Sequence, residues 1–323
     1  MAEIYILKNQ HLEVHIASWG ATIVRMITSD IQGKKVDVVL GLENVEDYQS
    51  DAYLATGAYL GAGIGRYANR IAGGQFHIDD KMYQLHINNG SNHLHGGICG
   101  FDQKEWKIVK QQVTLLELQY ISREGEENYP GTLIVNILFE LKEKELWINY
   151  RAKTDRNCYV NLTHHPYFNL DPESCDIKKH QLKLYTDKYL YTDELIPNGD
   201  FVQMEGIYDF TDFNTLQEVI EKKGGLDDCF VFELHEKIQR QAELFSEESG
   251  IKLYVCSDYP GLQVYTGRYL DVRNAKQGKH YGPYSGVALE AQYWPDSPNH
   301  PNFPSTLLVP EQEYIKTTIY GFE

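Results

Sequence analysis

Hydrophobic and polar residues alternate along most of this chain in short runs interrupted by Gly, Asn, Asp and Pro. That is the period-two pattern of half-buried strands, not the 3.6-residue period of helices. In HLEVHI, Leu12, Val14 and Ile16 fall on one face while Glu13 and His15 fall on the other. The run TLIVNILFELKEKELWINYRAKT, with its charged centre Lys142 to Glu145, predicts a hairpin of two long strands, and KLYVCSDYPGLQVYTG predicts a second hairpin around Pro260-Gly261. Helical stretches are few: Val45 to Ser50, and Leu216 to Lys222 ahead of Gly224-Gly225. The stretch from Leu170 to Leu226 is the richest in loop signals and reads as excursions from a single fold. Strands from one end to the other, without the β–α alternation that builds a parallel sheet, predict an all-β protein with a large antiparallel sandwich or barrel-like packing. No repeat period, low-complexity tract or linker breaks the chain, and large β folds run past roughly 200 residues as one unit, so residues 1–323 are read as a single domain.

Composition narrows the function classes. Twenty-four tyrosines favour strands, and 42% hydrophobic against 24% charged residues leaves ample material for a packed core. A formal charge of −16, from 46 acidic and 30 basic residues, argues against nucleic acid and anionic lipid as partners, because both are bound through basic patches. The opening MAEIYILKNQHLEVHI has no basic lead, long apolar run or small-residue cleavage site, and nowhere does the chain offer ~20 consecutive apolar residues. A cytoplasmic protein without membrane association is expected. The five cysteines (Cys99, Cys158, Cys175, Cys229, Cys256) are widely spaced and lack a C-x-x-C pair, which suggests reduced thiols rather than a disulfide framework or zinc site.

Four segments carry candidate chemistry. In YLGAGIGRYANRIAGGQF the glycines superficially fit a dinucleotide fingerprint, but Gly73-Gly74 follow where the motif needs a helix. Asn69 and Arg70 lie instead in a polar turn, able to donate to sugar hydroxyls, although an arginine that merely stitches loops together fits the same residues. In NNGSNHLHGGICGFDQKEW, His93 and His95 point the same way if the segment is extended. A metal-binding cupin would follow such a pair with a nearby Glu, and no carboxylate comes before Asp102. In CYVNLTHHPYFNL, His165 shares a polar face with Tyr159, Asn161 and Thr163, which could orient its ring, while His164 joins the apolar side as a core histidine. In SGVALEAQYW, Val287, Leu289 and Ala291 take the apolar side and Glu290 and Gln292 the polar side; burial would raise the pKa of Glu290 toward that of a useful base. Asp227 or Asp228 begins a strand in GGLDDCFVF, and Gln263 lies on one in PGLQVYTG.

Taken together these segments resemble the aldose 1-epimerase (galactose mutarotase) family. The matches are GRYANRI at 65–71, NHLHGG at 92–97, NLTHHPYFNL at 161–170, D-x-x-F at Asp227 to Phe230, PGLQVYTG at 260–267 and LEAQYWPDSPNHPNFPSTLLVPEQEYIKTT at 289–318, in the family's order and over nearly the whole chain. The resemblance implies a mutarotase-like supersandwich in which two large antiparallel sheets cup an open sugar site. By position, Glu290 looks like the general base for the C1 hydroxyl, His165 like the general acid for the ring oxygen and His95 like the second histidine near that oxygen. Asn69, Arg70, Asp227 and Gln263 match substrate-contacting positions. The sequence departs from the family at His164 and Pro166, where Asn and Thr or Ser are more usual, and at Ala291, where Thr is common.

The implied reaction exchanges the anomers of a free aldose by ring opening and reclosure. It needs one base and one acid, expected on opposite sides of the acetal across a gap of about one pyranose ring, and no cofactor or metal. The expected partner is a small monosaccharide, with the protein a monomer or homodimer. Two other readings stay open at this point: a sugar-binding module without catalysis, and an epimerase for disaccharides or sugar phosphates.

Overall fold

The computed structural model describes residues 2–171, 173–234 and 237–323. A nine-stranded antiparallel sheet runs in the order Lys107–Gln112, Leu115–Ser122, Leu133–Lys142, Glu145–Thr154, Tyr314–Phe322, Lys252–Ser257, Gln239–Phe245, Gln181–Leu184, Asn214–Thr215. A six-stranded antiparallel sheet runs Tyr167–Phe168, Val287–Gln292, Gly261–Tyr265, Asp227–Val231, Lys188–Asp193, Ile196–Gln203. A four-stranded sheet (Ile4–Lys8, Glu13–Ala17, Thr22–Ser29, Lys35–Asp37) adds a third layer element. One continuous core joins all three: Val135, Phe139 and Ile148 from the large sheet, Leu262, Val264, Val287 and Leu289 from the six-stranded sheet, and Val14 and Ile23 from the small one. This is the all-β antiparallel sandwich that the alternation predicts.

Leu133–Lys142 and Glu145–Thr154 pair in register from Leu133↔Thr154 to Lys142↔Glu145, as their patterns require. The second expected hairpin does not form. Lys252–Ser257 belongs to the nine-stranded sheet and Gly261–Tyr265 to the six-stranded one, so the link through Pro260 turns a corner between layers. Leu253 and Val255 meet the core from one side, Leu262 and Val264 from the other. Alternation is identical for strands that pair and strands that face each other across a core, so the pattern could not separate the two cases. The loop-rich stretch 170–226 also holds more structure than its composition suggests: Lys188–Asp193 and Ile196–Gln203 form one edge of the six-stranded sheet. The helical stretches appear as a 3₁₀ turn at Val45–Gln49 followed by Asp51–Leu54, and as Gln217–Lys223, which Gly224 ends at φ 81°.

One buried polar side chain pins the strand fragment that carries the site. His164 is fully buried; its Nδ1 accepts from the Tyr150 hydroxyl at 2.8 Å and its Nε2 donates to the Ala21 carbonyl at 3.0 Å. Both ring nitrogens are satisfied by a neutral imidazole, and burial pushes its pKa down to about 4. The unfolded chain, with a value near 6.5, takes up this proton first. The stability from the neutral ring is therefore present above pH 6.5 and is lost progressively as pH falls toward about 4. His164→Leu should cost about 2–3 kcal/mol near pH 7.5, because it orphans the Tyr150 hydroxyl and the Ala21 carbonyl. That cost should shrink by about 2 kcal/mol near pH 5, as read from urea unfolding of both proteins; an unchanged difference would contradict a buried neutral ring.

Candidate active site

The six-stranded sheet gives its two faces different work. Directly opposed residues share a face, and the register sets Gln263 against Glu290 and against Cys229, and Tyr265 against Asp227. One face therefore presents Asp227, Gln263 and Glu290, while Leu262, Val264, Leu289 and Ala291 enter the core from the other. The register also decides between the two aspartates: Asp228 opposes Val264 on the core-side face, and Asp227 opposes Tyr265 beside the site.

Strand fragment Thr163–His164 pairs with Gly63–Ile64, and the His165 backbone continues this by bonding Ala62 and Gly61, which brings the imidazole to Glu290. The Nε2 of His165 lies 3.3 Å from Oε1 of Glu290. Here the expectation of a pyranose-wide gap is corrected: the two side chains are neighbours. The chemistry allows this, because the hydroxyl and ring oxygens that exchange protons are bonded to the same carbon. The neighbours expected to orient His165 also differ. Asn161 and Thr163 spend their side chains on backbone carbonyls of Ala68, Tyr293 and Ala291. The ring is held instead among Tyr167, His95 and Tyr59, with centroids 4.8, 5.5 and 6.1 Å away.

His93 and His95 do not share a face. His95 takes a left-handed backbone, φ 49°, so the alternation that would align them breaks between the two. His93 turns into a side core, where its Nδ1 meets the His86 carbonyl and its Nε2 the Tyr129 hydroxyl, each at 2.7 Å. His95 turns into the site. Gly96, at φ 89°, follows because a side chain there would collide with the Gly65 carbonyl. The two arginines of GRYANRI likewise divide the roles left open by the sequence: Arg66 is buried and bonds Ser122, Arg123 and Pro130, whereas Arg70 lines the site with its Nε on Asn89.

All seven singled-out residues, Asn69, Arg70, His95, His165, Asp227, Gln263 and Glu290, line one cavity of about 400 Å³. Gln263 donates to Asp227 at 2.7 Å, leaving Gln263 Oε1, Glu290 Oε2 and His165 Nδ1 buried without a partner. Burial, then the Asp227 charge, hold the Glu290 carboxyl well above its ordinary range, with Arg70 opposing. Burial pushes His165 down to about 4, and burial together with His165 and Arg70 pushes His95 well below its ordinary value. Tyr59, Tyr167, Tyr265, Tyr269 and Asn89 are among the further wall residues and were not singled out. Tyr167 was within reach of the same reasoning, since it stands two residues after His165 on an extended segment. For the rest, 24 tyrosines give no local signal that separates a wall from a core.

Among the described residues, ligand atoms of His95, His165 and Glu290 lie within 4.8 Å of one another, a spacing that a metal ion could bridge. The tautomer of His95 argues against it. The Asn69 backbone N–H donates to His95 Nδ1 at 3.2 Å, so the neutral ring carries its proton on Nε2 and presents a donor, not a lone pair, to the cavity.

The family model for aldose 1-epimerase matches residues 3–321. The chain belongs to the aldose 1-epimerase family. It is 40% identical to the galactose mutarotase of Bos taurus over 99% of this chain and 94% of the relative, and 34% identical to the aldose 1-epimerase of Escherichia coli K12 over 97% and 93%. The fold superposes on a solved aldose epimerase homologue from C. elegans with a TM-score of 0.93, at 28% identity and covering 100% and 99% of the two chains. As a family member the protein is an isomerase that interconverts the anomers of aldoses. Because the His95 tautomer offers no lone pair to a cation, exhaustive dialysis against a chelator should leave the polarimetric rate unchanged. A loss restored by a divalent ion would overturn that reading of the triad.

Proposed function

We propose that the substrate is a free hexose of the galactose or glucose type, that Glu290 is the base at its O1 and that His165 is the acid at its ring oxygen. The observation that carries this is the 3.3 Å contact between the two groups at the buried end of a cavity walled by hydroxyl-binding side chains. In the assigned cycle Glu290 takes the O1 proton while His165 gives one to the ring oxygen. The bond from C1 to that oxygen breaks and leaves an aldehyde at C1 and a hydroxyl at C5. Rotation about C1–C2 turns the other carbonyl face to the C5 hydroxyl, and the reverse transfers close the other anomer. The pair ends each turnover with the proton count it began with, which suits a reaction nearly balanced in free energy.

His95, with its Nε2–H facing the cavity, serves as a second donor beside the ring oxygen, and Asn69, Arg70, Asp227 and Gln263 hold the remaining hydroxyls. Among the described residues, Arg70 is the cavity's single Lys or Arg against two carboxylates, which favours a neutral sugar over a sugar phosphate. The five free cysteines and the acidic charge fit a protein working in the reducing cytoplasm.

Glu290→Gln and His165→Asn should each lower kcat on galactose by about 10²- to 10⁴-fold with the fold intact, measured by polarimetry on fresh α-anomer. A near-wild-type rate in either variant rejects the assignment. The free pair is active with one proton. It gains a second only as pH falls through the His165 value of about 4, and loses its last as pH rises through the raised Glu290 value. The acid limb of the kcat/KM profile should therefore lie at about 4; an acid limb near 6.5 would show an unshifted histidine at work.

A further inference from the structure

A second cavity of about 300 Å³ adjoins the catalytic one and shares Thr56, Gly57, Tyr59 and Asn88 with it. Its walls are rich in tyrosine (Tyr48, Tyr53, Tyr59), contain no lysine or arginine and include one carboxylate, Asp102. Most of its polar side chains are already engaged. Thr22 and Thr56 donate to backbone carbonyls, Asn88 is bonded at both ends of its amide, and the Tyr48 and Tyr53 hydroxyls accept backbone N–H groups. Asp102 is the exception, because its Oδ1 is buried with no partner. Burial pushes the Asp102 carboxyl up to about 7, so near neutral pH it can donate to a hydroxyl as well as accept from one.

The orientation of the sugar follows from the acid/base reading above, on which this inference rests. With O1 at Glu290 and the ring oxygen at His165, C2 and C3 lie toward Gln263, the cross-strand neighbour of Glu290, and toward Asp227, which accepts from Gln263. C5, bonded to the ring oxygen, then lies on the side of the histidines, and on that side stands the Tyr59 ring, with its centroid 4.8 Å from that of His95 and 6.1 Å from that of His165. Gly57, exposed and with open space where a side chain would stand, forms a low rim between the two cavities.

We propose that the cavity beyond Tyr59 receives a neutral, hydroxyl-bearing substituent on C6 of the sugar, so that the enzyme accepts 6-O-glycosylated reducing sugars and holds their second ring against the tyrosines and Asp102. Tyrosine faces suit the apolar face of a sugar ring, and a buried unpaired acceptor suits a hydroxyl. A C6 phosphate would meet a carboxylate and no cation.

The test compares kcat/KM for xylose, galactose, melibiose (6-O-linked) and maltose (4-O-linked) in the wild type, Asp102→Ala and Ile98→Trp. Ile98 is 59% exposed at the cavity wall, so tryptophan there obstructs the cavity without entering the core. The expected result is melibiose well ahead of maltose in the wild type, and about tenfold losses on melibiose in both variants with galactose and xylose unchanged. If melibiose is no better than maltose, or if both variants slow galactose as much as melibiose, the cavity does not bind the C6 substituent. If galactose and xylose are themselves not turned over by the wild type, the acid/base reading fails and this inference falls with it.

Discussion

Glu290 is 1% exposed and lies 3.3 Å from the His165 imidazole, which is 4% exposed, so two titratable groups are held together where water scarcely reaches them. Burying one charge without compensation is prohibitive, and even a buried ion pair recovers its desolvation only with good geometry and further hydrogen bonds. The site avoids the difficulty by favouring the neutral forms, the carboxyl raised and the imidazole lowered. The pair then holds one proton between them, which suits the exchangeable acid and base roles proposed for it. Hydroxyl donors reaching the unpartnered Glu290 Oε2 would favour its carboxylate, and Arg70 pulls that carboxyl in the same direction.

The surroundings of that pair are built by breaking local rules. Tyr59, Asn69 and His95 all take left-handed backbones, at φ 53°, 65° and 49°, and all three line the same cavity. Such conformations cost of order 1 kcal/mol or more for residues other than glycine and persist only where packing over-determines them. Here the packing is visible. The Tyr59 ring sits edge-on against His95, and the Asn69 and His95 backbones clasp each other, His95 N–H to Asn69 C=O and Asn69 N–H to His95 Nδ1. The strained turn therefore sets the His95 tautomer and makes that ring a donor. The sheet places the two carboxylates and the strained loops place His95.

Much of this was legible in the chain itself. Alternation decided the all-β class, the long Leu133–Thr154 hairpin, the core position of His164 and the polar side of Glu290, because the side-chain period of a strand depends only on local geometry. Family motifs then named seven positions that turn out to share one cavity. What the chain alone could not supply was everything that depends on which strand lies beside which. The corner at Pro260, the choice of Asp227 over Asp228, the divergence of His93 and His95, the closeness of His165 to Glu290 and the second cavity past Tyr59 are of this kind. Periodicity tells a residue which side of its own strand to occupy, but pairing register, layer and left-handed turns are settled by the packing of segments far apart in sequence, and the site is made where those segments meet.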